Sequence, residues 1–411
     1  MKICQLNHTD HYTGGARAAY RIHRSLMSSG FESRMYVNQS NTDDWSVCVP
    51  DRSTPARLFN KARTLFAGLP NCFFHSSSDT PYSASYVVSD WPGLLNNSEC
   101  DVVHMHWIYE MMSIEDIAKI KKPLLWTLHD MWAFCGAEHY TEDFRWREGY
   151  YHHNRPSNES GFDLNRWAWS RKQKAWKEPI HIVTPSKWLG KCVQESKLMA
   201  GWPVSVIPNP IDTTLWRPVE KALARKIFNF PQDIPFLLFG ANGGSKNPIK
   251  GYDKILKALE LLAGEIKGLE LIVFGQHAPE KSSDTGFKVR YTGHLYDDLT
   301  LCLLYSAADV LVVPSRIDNL PNTVVEALAC GTPVIAFNAC GLPDMIDHKV
   351  TGYLAEPFDV EDLARGIKWV LCDNAGYDDL CRKARQKAVR EYDLDVVSRR
   401  YMRLYESILE A

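Results

Sequence analysis

Short apolar segments that are rich in β-branched and aromatic residues alternate with longer amphipathic segments along almost the whole chain. In the first half, the strand-like segments read KICQLN, SRMYVN, DVVHMH, PLLWTLH and HIVTPS. In the second half they read PFLLFGA, LELIVFG, KVRYTG, DVLVVPS and PVIAF, each followed by a helical pattern or a glycine-rich turn. Strands that alternate with helices in this way are typical of parallel α/β folds. The pattern therefore predicts two Rossmann-like, doubly wound α/β domains.

A segment with several turn-forming residues, VSVIPNPIDTTLWRP, separates the two series of strands. It carries one short strand and no long helix, as expected of a connection between domains. The 411 residues are enough for two hydrophobic cores. We therefore expect domains over 1–205 and 206–390, facing a cleft, and a terminal helix over 391–411. The helix is predicted from apolar residues at helical spacing, which leave its packing partner open: Val397, Tyr401, Leu404, Tyr405 and Ile408.

The composition excludes several classes of protein. The formal net charge is −2, so the overall charge does not indicate a nucleic-acid partner. The eleven cysteines are scattered without a CxxC pair, which favours reduced thiols in the cytoplasm. The first predicted strand begins at Met1, so we expect no signal peptide. The longest apolar segments are far shorter than the about 20 residues that cross a bilayer.

The most informative stretch is VLVVPSRIDNLPNTVVEALACGTPVIAF, residues 310–337. A buried strand is predicted to end at Pro314-Ser315, and the helix that follows the loop stops at Gly331. Ligands of open α/β sheets bind outside the carboxyl ends of the strands, and backbone N–H groups at the start of a helix suit a diphosphate. The helix start that would supply this seat is formed by Leu320, Pro321, Asn322 and Thr323.

Two carboxylates flank that helix start with seven residues between them, Asp318 on the loop and Glu326 in the helix. Carboxylates in such places accept hydrogen bonds from vicinal hydroxyls, as in the binding of a ribose or a hexose. Taken alone, the two residues would more readily cap a turn and lie solvated on the helix surface. Followed by EALACGTPV, the pair resembles the signature of glycosyltransferase family 4, whose first acid is usually Glu.

The resemblance implies a GT-B fold and a retaining transfer, without metal or cofactor, from a nucleotide-diphosphate sugar to an acceptor hydroxyl. It also implies that Glu326 binds the ribose and that Asp318 contacts the transferred sugar. The phrase DNLPN is similar to that of a subgroup that builds bacterial surface polysaccharides. The implied acceptor is a glycan or a lipid-linked glycan of lipopolysaccharide, O-antigen or exopolysaccharide assembly.

Further stretches of the first half resemble the family in the expected order. Gly14 and Gly15 lie between the first strand and the first helix, where glycines let the backbone approach a phosphate, here that of the donor. By resemblance, His129 in a THD-like motif contacts the donor sugar. His106 ends the preceding strand and is either an acceptor-side candidate or a core histidine, two interpretations that the sequence supports equally. His139, in the family-like GAEHY turn, is a candidate on the acceptor side.

In the second half, the loop FGANGGSKNPIKGYDKIL ends in Lys250 and Gly251 before a helix. A lysine there can balance the charge of a diphosphate and of the leaving group. The family usually has an arginine a few residues earlier, for which Lys246 would substitute. Segments that resemble those flanking the nucleotide base contribute three base-pocket candidates: Gly275, Gly293 and His294.

The sequence predicts no metal site. Relatives in the subgroup often carry a cysteine cluster, of which only Cys135 is present. His152 and His153 lack a second ligand pair at metal spacing and are expected on the surface. The one DxD pattern begins the terminal helix, at Asp393, and is given no weight.

Two stretches, 52–74 and 166–177, mix Arg and Lys with Phe, Leu or Trp, as interfacial segments do. For 166–177 we expect Trp167 and Trp176 in the core and solvated lysines. For 52–74 we expect peripheral contact with the inner face of the plasma membrane, because a lipid-linked acceptor would need such a surface.

Two alternatives share the two-domain fold. A nucleotide-sugar 2-epimerase would not account for DNLPNTVVEALACGTPV beside Lys250-Gly251. A nucleotide-sugar-binding protein without turnover is favoured only by Asp318 and by the missing arginine.

Overall fold

The computed structural model describes residues 1–11, 13–50, 63, 66–240, 244, 247–279 and 286–410. The chain divides into two compact units. The first unit comprises Met1–Pro208 and Val397–Ala411, and the second comprises Asn209–Val396. Each unit is built around one parallel sheet with hydrophobic clusters on both faces.

The sheet of the first unit has seven parallel strands in the order β3-β2-β1-β5-β6-β8-β9. Its strands are β1 (Lys2–Leu6), β2 (Glu32–Tyr36), β3 (Val47–Cys48), β5 (Val102–Met105), β6 (Leu124–Thr127), β8 (His181–Thr184) and β9 (Val204–Val206). A separate antiparallel pair joins β4 (Phe74–Ser76) to β7 (Glu159–Gly161). The chain runs outwards from β1 to β3 and then returns to the other side of β1, so the sheet has its switch point between β1 and β5.

The helices that precede the second unit are mostly short. They are α1 (Gly14–Ser28), α2 (Trp91–Asn96), α3 (Ile114–Ile117), α4 (Arg145–Glu148), α5 (Leu164–Ala175) and α6 (Lys187–Glu195), with 3₁₀ turns at Leu69–Phe73 and His152–Asn154. The longest of them, α1, begins where the Thr13 side chain accepts a hydrogen bond from the Ala16 N–H at 3.2 Å. This cap satisfies one of the unpaired N–H groups at the helix start.

The sheet of the second unit has six parallel strands in the order β12-β11-β10-β13-β14-β15. They are β10 (Phe236–Gly240), β11 (Glu270–Phe274), β12 (Lys288–Gly293), β13 (Val310–Val313), β14 (Val334–Phe337) and β15 (Gly352–Ala355). The helices are α7 (Lys221–Ile227), α8 (Tyr252–Leu261), α9 (Asp298–Ala307), α10 (Asn322–Ala329), α11 (Leu342–Met345), α12 (Val360–Lys368) and α13 (Tyr377–Tyr392), with a 3₁₀ turn at Pro248–Lys250 and a π-helical turn at Trp369–Asp373. The switch point of this sheet lies between β10 and β13.

The last helix, α14 (Leu394–Glu410), returns to the core of the first unit. Its buried face packs against the inner residues of four central strands and of α1. The cluster comprises Ile3, Ile22, Leu26, Val102, Leu125, Val183, Ile207, Val397, Tyr401, Leu404 and Tyr405. The packing that the amphipathic pattern left open is therefore against the first unit.

The predicted two-domain α/β class is confirmed by these two sheets. The sequence missed β3, β15 and the antiparallel pair of β4 and β7. Strand β15 begins at Gly352, where an added Cβ would overlap the Val334 carbonyl oxygen of β14. A glycine that a neighbouring strand requires looks like a strand breaker when only the sequence is read.

The two basic-aromatic stretches differ from the expectation in part. Trp176 is buried, but Lys172 is also fully buried, so the prediction of solvated lysines was wrong there. The Lys172 Nζ donates hydrogen bonds to the carbonyl oxygens of Cys135 (3.2 Å) and Gly136 (2.7 Å), and it lies 3.8 Å from the centre of the Trp132 ring. These contacts replace the water that a lysine normally needs.

Most of the charges in 52–74 lie outside the described residues, among them Arg52, Arg57 and Lys61. Arg63 is described and is only 5% exposed. Its Nη2 donates a hydrogen bond to the Glu110 carbonyl oxygen at 2.5 Å, so this guanidinium binds the protein itself. In the described part of the chain, every helix is too short or too polar to cross a bilayer.

Candidate functional site

In the second unit, the turn that directly precedes α8 is held against the end of β13. Lys250 closes the 3₁₀ turn, and Gly251 follows it with a φ of 69°. A Cβ at Gly251 would overlap the carbonyl oxygen of Pro314, the residue directly after β13. Only glycine allows both this left-handed conformation and this approach. The glycine therefore places Lys250 beside the switch point, where open α/β sheets bind ligands.

Asp318 comes from the loop after β13 and meets that lysine. Its Oδ2 accepts hydrogen bonds from Lys250 Nζ at 2.6 Å and from Ser315 Oγ at 3.0 Å. The Asp318 side chain is 9% exposed, whereas that of Lys250 is 26% exposed. A carboxylate buried to this degree needs a paired cation. The structure thus brings these two predicted residues together, and a turn cap alone would not account for their pairing.

The helix start that was predicted as a diphosphate seat follows directly. Leu320 is buried, whereas Pro321, Asn322 and Thr323 are half-buried. The Asn209 Nδ2 lies 3.4 Å from both the Leu320 carbonyl oxygen and the Asn322 Oδ1. The first turn of α10 is therefore partly accessible, and the Asn209 side chain contacts its backbone and its first side chain.

Glu326 lies one turn further along α10 and is 3% exposed. Its Oε2 accepts a hydrogen bond from the Tyr305 hydroxyl of α9 at 3.0 Å. A carboxylate on the solvated face of a helix would need neither this burial nor this partner, so the structure excludes the solvated alternative. The bond to Tyr305 fixes the direction of one carboxylate oxygen.

The three base-pocket candidates lie at the ends of β11 and β12. The Gly275 N–H donates to the Gly293 carbonyl oxygen at 2.9 Å, and both glycines have positive φ values. His294 is exposed, and its ring lies 6.0 Å from that of His277. Sequence reasoning missed His277, for which its position in FGQHAP, two residues after Gly275, was the available signal. Lys246 lies outside the described residues.

In the first unit, the start of α1 lies beside a histidine that follows β6. Gly14 and Gly15 begin α1, and a Cβ at Gly15 would lie 3.5 Å from the Cβ of His129. His129 is half-buried. Burial lowers its pKa to about 4, although the neighbouring Asp130 acts in the opposite direction. The ring is therefore neutral at physiological pH.

His106, which follows β5, lies behind His129 and is 2% exposed. Its Nδ1 lies 3.2 Å from His129 Nε2, and its Nε2 lies 2.6 Å from Gln5 Oε1. Burial lowers the pKa of His106 well below the usual value, and the neighbouring histidines add to this. His106 is thus a core histidine that contacts a more accessible one.

His139 is buried in a chain of polar contacts. Its Nε2 lies 2.8 Å from Ser83 Oγ, and its Nδ1 lies 2.7 Å from Asp130 Oδ2. Burial alone would raise the pKa of Asp130, but the contact with His139 and a hydrogen bond from the Trp132 N–H lower it overall. Sequence reasoning missed Ser83 and Asp130, and the only signal was the position of Asp130 after His129.

The predicted surface histidines His152 and His153 are exposed. Among the residues that the structure describes, no three His, Cys, Asp or Glu side chains converge as a metal site would require. The side chain of Asp393 accepts hydrogen bonds from the Thr213 hydroxyl, 180 residues earlier in the sequence, and from the nearby Asp395 N–H.

Two family models match the chain. The model described as Glycosyltransferase Family 4 matches residues 12–215, and the model described as Glycosyl transferases group 1 matches residues 221–390. The chain carries two glycosyltransferase domains. The family 4 match contains Gly15 and His129, and the group 1 match contains Lys250, Asp318 and Glu326.

Curated relatives are similar over part of their length. The D-inositol 3-phosphate glycosyltransferase of Saccharomonospora viridis is 31% identical over 46% of this chain and 46% of its own. The glycogen synthase of Mycobacterium tuberculosis is 28% identical over 49% of this chain and 48% of its own. The chain thus spans about half the length of these relatives.

Solved structures match over the whole chain. Sucrose-phosphate synthase from Thermosynechococcus elongatus has a TM-score of 0.70 at 17% identity and covers 100% of both chains. Anabaena HepE, solved with UDP-glucose, has a TM-score of 0.67 at 15% identity and covers 99% of this chain and 100% of its own. These likenesses confirm the GT-B fold that the sequence predicted.

Proposed function

We propose that this protein is a retaining glycosyltransferase that moves a sugar from a nucleotide-diphosphate sugar to an acceptor hydroxyl. The observation that carries the proposal is the ion pair of Lys250 and Asp318, held at the switch point of the group 1 domain. The structure of HepE with UDP-glucose supports a donor of this class. The named activity of the D-inositol 3-phosphate glycosyltransferase supports transfer as the reaction.

Lys250 would supply the positive charge that the reaction needs. When the bond from the sugar to the nucleoside diphosphate breaks, negative charge develops on the departing phosphate oxygen. A cation already held in place stabilises that charge without reorganisation. Asp318 fixes the direction of the ammonium, and the partial exposure of Lys250 leaves it able to meet a ligand. With this charge supplied by a side chain, we propose a reaction that requires neither a divalent metal ion nor a cofactor.

The other residues of the second unit would bind the rest of the donor. Glu326, oriented by Tyr305, would accept hydrogen bonds from the ribose hydroxyls. The start of α10 would hold the diphosphate through its backbone N–H groups. Asp318 would also contact the transferred sugar. The base would lie near the ends of β11 and β12, at Gly275, Gly293 and His294, and Lys246 would add charge to the diphosphate.

The first unit would contribute to the sugar and to the acceptor. Gly14 and Gly15 would let the start of α1 approach the diphosphate, and His129 would contact the donor sugar. His139 would support the acceptor side through Asp130, since its ring is itself buried. The acceptor we propose is a glycan or lipid-linked glycan of bacterial surface polysaccharide, reached from the cytoplasmic side of the membrane. The similarity to WaaG, a glycosyltransferase involved in lipopolysaccharide biosynthesis, supports this choice (TM-score 0.60).

The test is a donor panel with purified protein, assayed for transfer, hydrolysis and epimerisation with and without EDTA. Lys250→Ala should lower the transfer rate by roughly 10²–10³, the range for one preorganised charge. Lys267→Ala is the control, because Lys267 is an exposed lysine of the same unit.

Equal rates for the wild type and Lys250→Ala would contradict the assignment of Lys250. A strict requirement for a divalent metal ion would contradict the charge mechanism. Epimerisation of the donor without transfer would replace the proposed function by the epimerase alternative.

A further inference from the structure

A continuous chain of buried hydrogen bonds runs from His129 to the last helix. His129 and His106 form its first contact, and His106 bonds to Gln5 of β1 at 2.6 Å. The Gln5 Nε2 lies 3.2 Å from the Tyr405 hydroxyl of α14, which lies 2.6 Å from His104 Nδ1. Beyond His129, every one of these side chains is at most 2% exposed. A half-buried histidine near the proposed sugar site is therefore connected to a tyrosine in the core.

Beyond His104, the series of hydrogen bonds returns to α14 at a second tyrosine. The His104 Nε2 lies 2.7 Å from Thr127 Oγ1, which lies 3.1 Å from the Tyr401 hydroxyl. Tyr401 therefore lies at the far end of this series of hydrogen bonds and makes none to Gln5 itself. The two tyrosines occupy successive turns of one helix face, with ring centres 6.1 Å apart.

The contacts of Gln5 fix the direction of every hydrogen bond towards His129. The amide oxygen of Gln5 only accepts, so the His106 Nε2 must donate to it. A neutral imidazole carries one N–H, so the His106 Nδ1 must accept, and its donor is the His129 Nε2–H. His129 therefore carries its hydrogen on Nε2, and its Nδ1 is an acceptor. In this orientation of the amide the Gln5 Nε2 donates to the Tyr405 hydroxyl, which is then left to donate its own hydrogen to His104 Nδ1.

We propose that Tyr405 is a positioning residue that, through Gln5 and His106, sets the tautomer of His129 and thereby presents the sugar with a hydrogen-bond acceptor. This role rests on the proposed function only in its last step, the contact with the sugar. The setting of the tautomer rests on the buried contacts alone. Loss of the Tyr405 hydroxyl leaves the Gln5 amide free to turn over. Its NH₂ group then donates to His106, which must donate from Nδ1 to His129, so His129 changes to the Nδ1–H form.

The first experiment reads the tautomer directly. In the whole chain labelled with ¹⁵N-histidine, the ring nitrogens of His129 should show the Nε2–H pattern, assigned by the signals that disappear in His129→Gln. Finding wild-type His129 in the Nδ1–H form would overturn the proposal, and this measurement needs neither a variant at Tyr405 nor any enzymatic activity. The tautomer of His129 can therefore be measured even if the protein has no transferase activity.

The second experiment compares Tyr405→Phe with Tyr401→Phe. Both changes remove one buried hydroxyl from the same face of α14, so both should lower the thermal midpoint. Only Tyr405→Phe should move His129 from the Nε2–H pattern, and only this variant should lower kcat, by about three- to tenfold, with the KM for the nucleotide sugar little changed.

Three results would overturn the proposal. They are a Tyr405→Phe protein that keeps the wild-type tautomer, equal changes of the His129 tautomer in both variants, and an unchanged kcat in an active protein that has the altered tautomer.

Discussion

Replacing Gly251 by Ala tests whether the close approach of this backbone to Pro314 holds the Lys250 loop in place. The φ of 69° makes an alanine there left-handed, which costs about 1–2 kcal/mol. Alanine also lowers the conformational entropy of the unfolded chain, which offsets about 0.4–1 kcal/mol of this cost. The overlap of the new Cβ with the Pro314 carbonyl oxygen adds about 1–3 kcal/mol, because backbone cannot rotate out of the way as a side chain would. We expect the free energy of unfolding of this unit to fall by about 1–4.5 kcal/mol, with the middle of that range near 3 kcal/mol.

Gly264 offers a matched control in the same unit. Its φ is 81°, but an added Cβ would have no heavy atom within 4 Å. Gly264→Ala should therefore add only the left-handed strain, at a net cost of about 0–1.5 kcal/mol. The assay is native-state hydrogen exchange of peptides that cover β10 and β13, which reports the local opening free energy. Equal loss of protection in the two variants would refute the role of the Pro314 contact. So would a Gly251→Ala protein with the stability and the transfer rate of the wild type.

Three further changes test other parts of the structure. Glu326→Gln keeps an acceptor for the Tyr305 hydroxyl, so the fold should persist while calorimetry shows nucleotide-sugar affinity reduced at least about tenfold, the scale of one lost charge-assisted bond; unchanged affinity would argue against ribose binding. Burial lowers the pKa of His23 to about 4, so the unfolded chain binds more protons than the folded one between about pH 6.5 and 4. The stability that the neutral His23 contributes is present above this window and lost as the pH falls through it, by up to about 1.4 kcal/mol per pH unit, and His23→Gln should remove this slope from urea unfolding curves. A stability difference between wild type and His23→Gln that does not vary with pH would contradict this. Changing the exposed Phe66 and Phe73 to Ser should weaken co-sedimentation with anionic liposomes, and equal sedimentation of both proteins would remove the support for membrane contact.

The sequence predicted the sheets well because buried parallel strands read as nearly continuous apolar segments. It could also predict Lys250 and Asp318 as candidates, since both follow strands and a doubly wound sheet has binding residues at strand ends. Their pairing was not predictable from the residues alone, because it depends on β10 and β13 being neighbours. The burial of Lys172 was missed for a similar reason. The carbonyl oxygens that accept from its ammonium lie about forty residues earlier in the chain, and no periodicity in 166–177 reveals them.

The buried hydrogen bonds of polar side chains were also missed when only the sequence was read. Gln5 lies in β1, and the apolar pattern of that strand correctly predicted a core element. The side-chain amide of Gln5, however, forms hydrogen bonds with a histidine and a tyrosine that are far away in sequence. Patterns of apolar residues identify which elements are buried. They do not identify which buried polar groups satisfy one another, because that requires the three-dimensional contacts.

The return of α14 to the first unit has a consequence for the order in which the chain matures on the ribosome. Asn209–Val396 is one uninterrupted segment, so this unit has all of its residues before α14 is complete. The first unit is complete only when Tyr405 has been synthesised, because the Tyr405 hydroxyl forms a hydrogen bond with Gln5, 400 positions earlier in the sequence. Contacts between such distant residues form late, because a long loop must close first. A nascent chain that stops at Pro208 leaves Ile3, Val102 and their neighbours without the helix that covers them. The unit that is synthesised first is thus the one that is finished last.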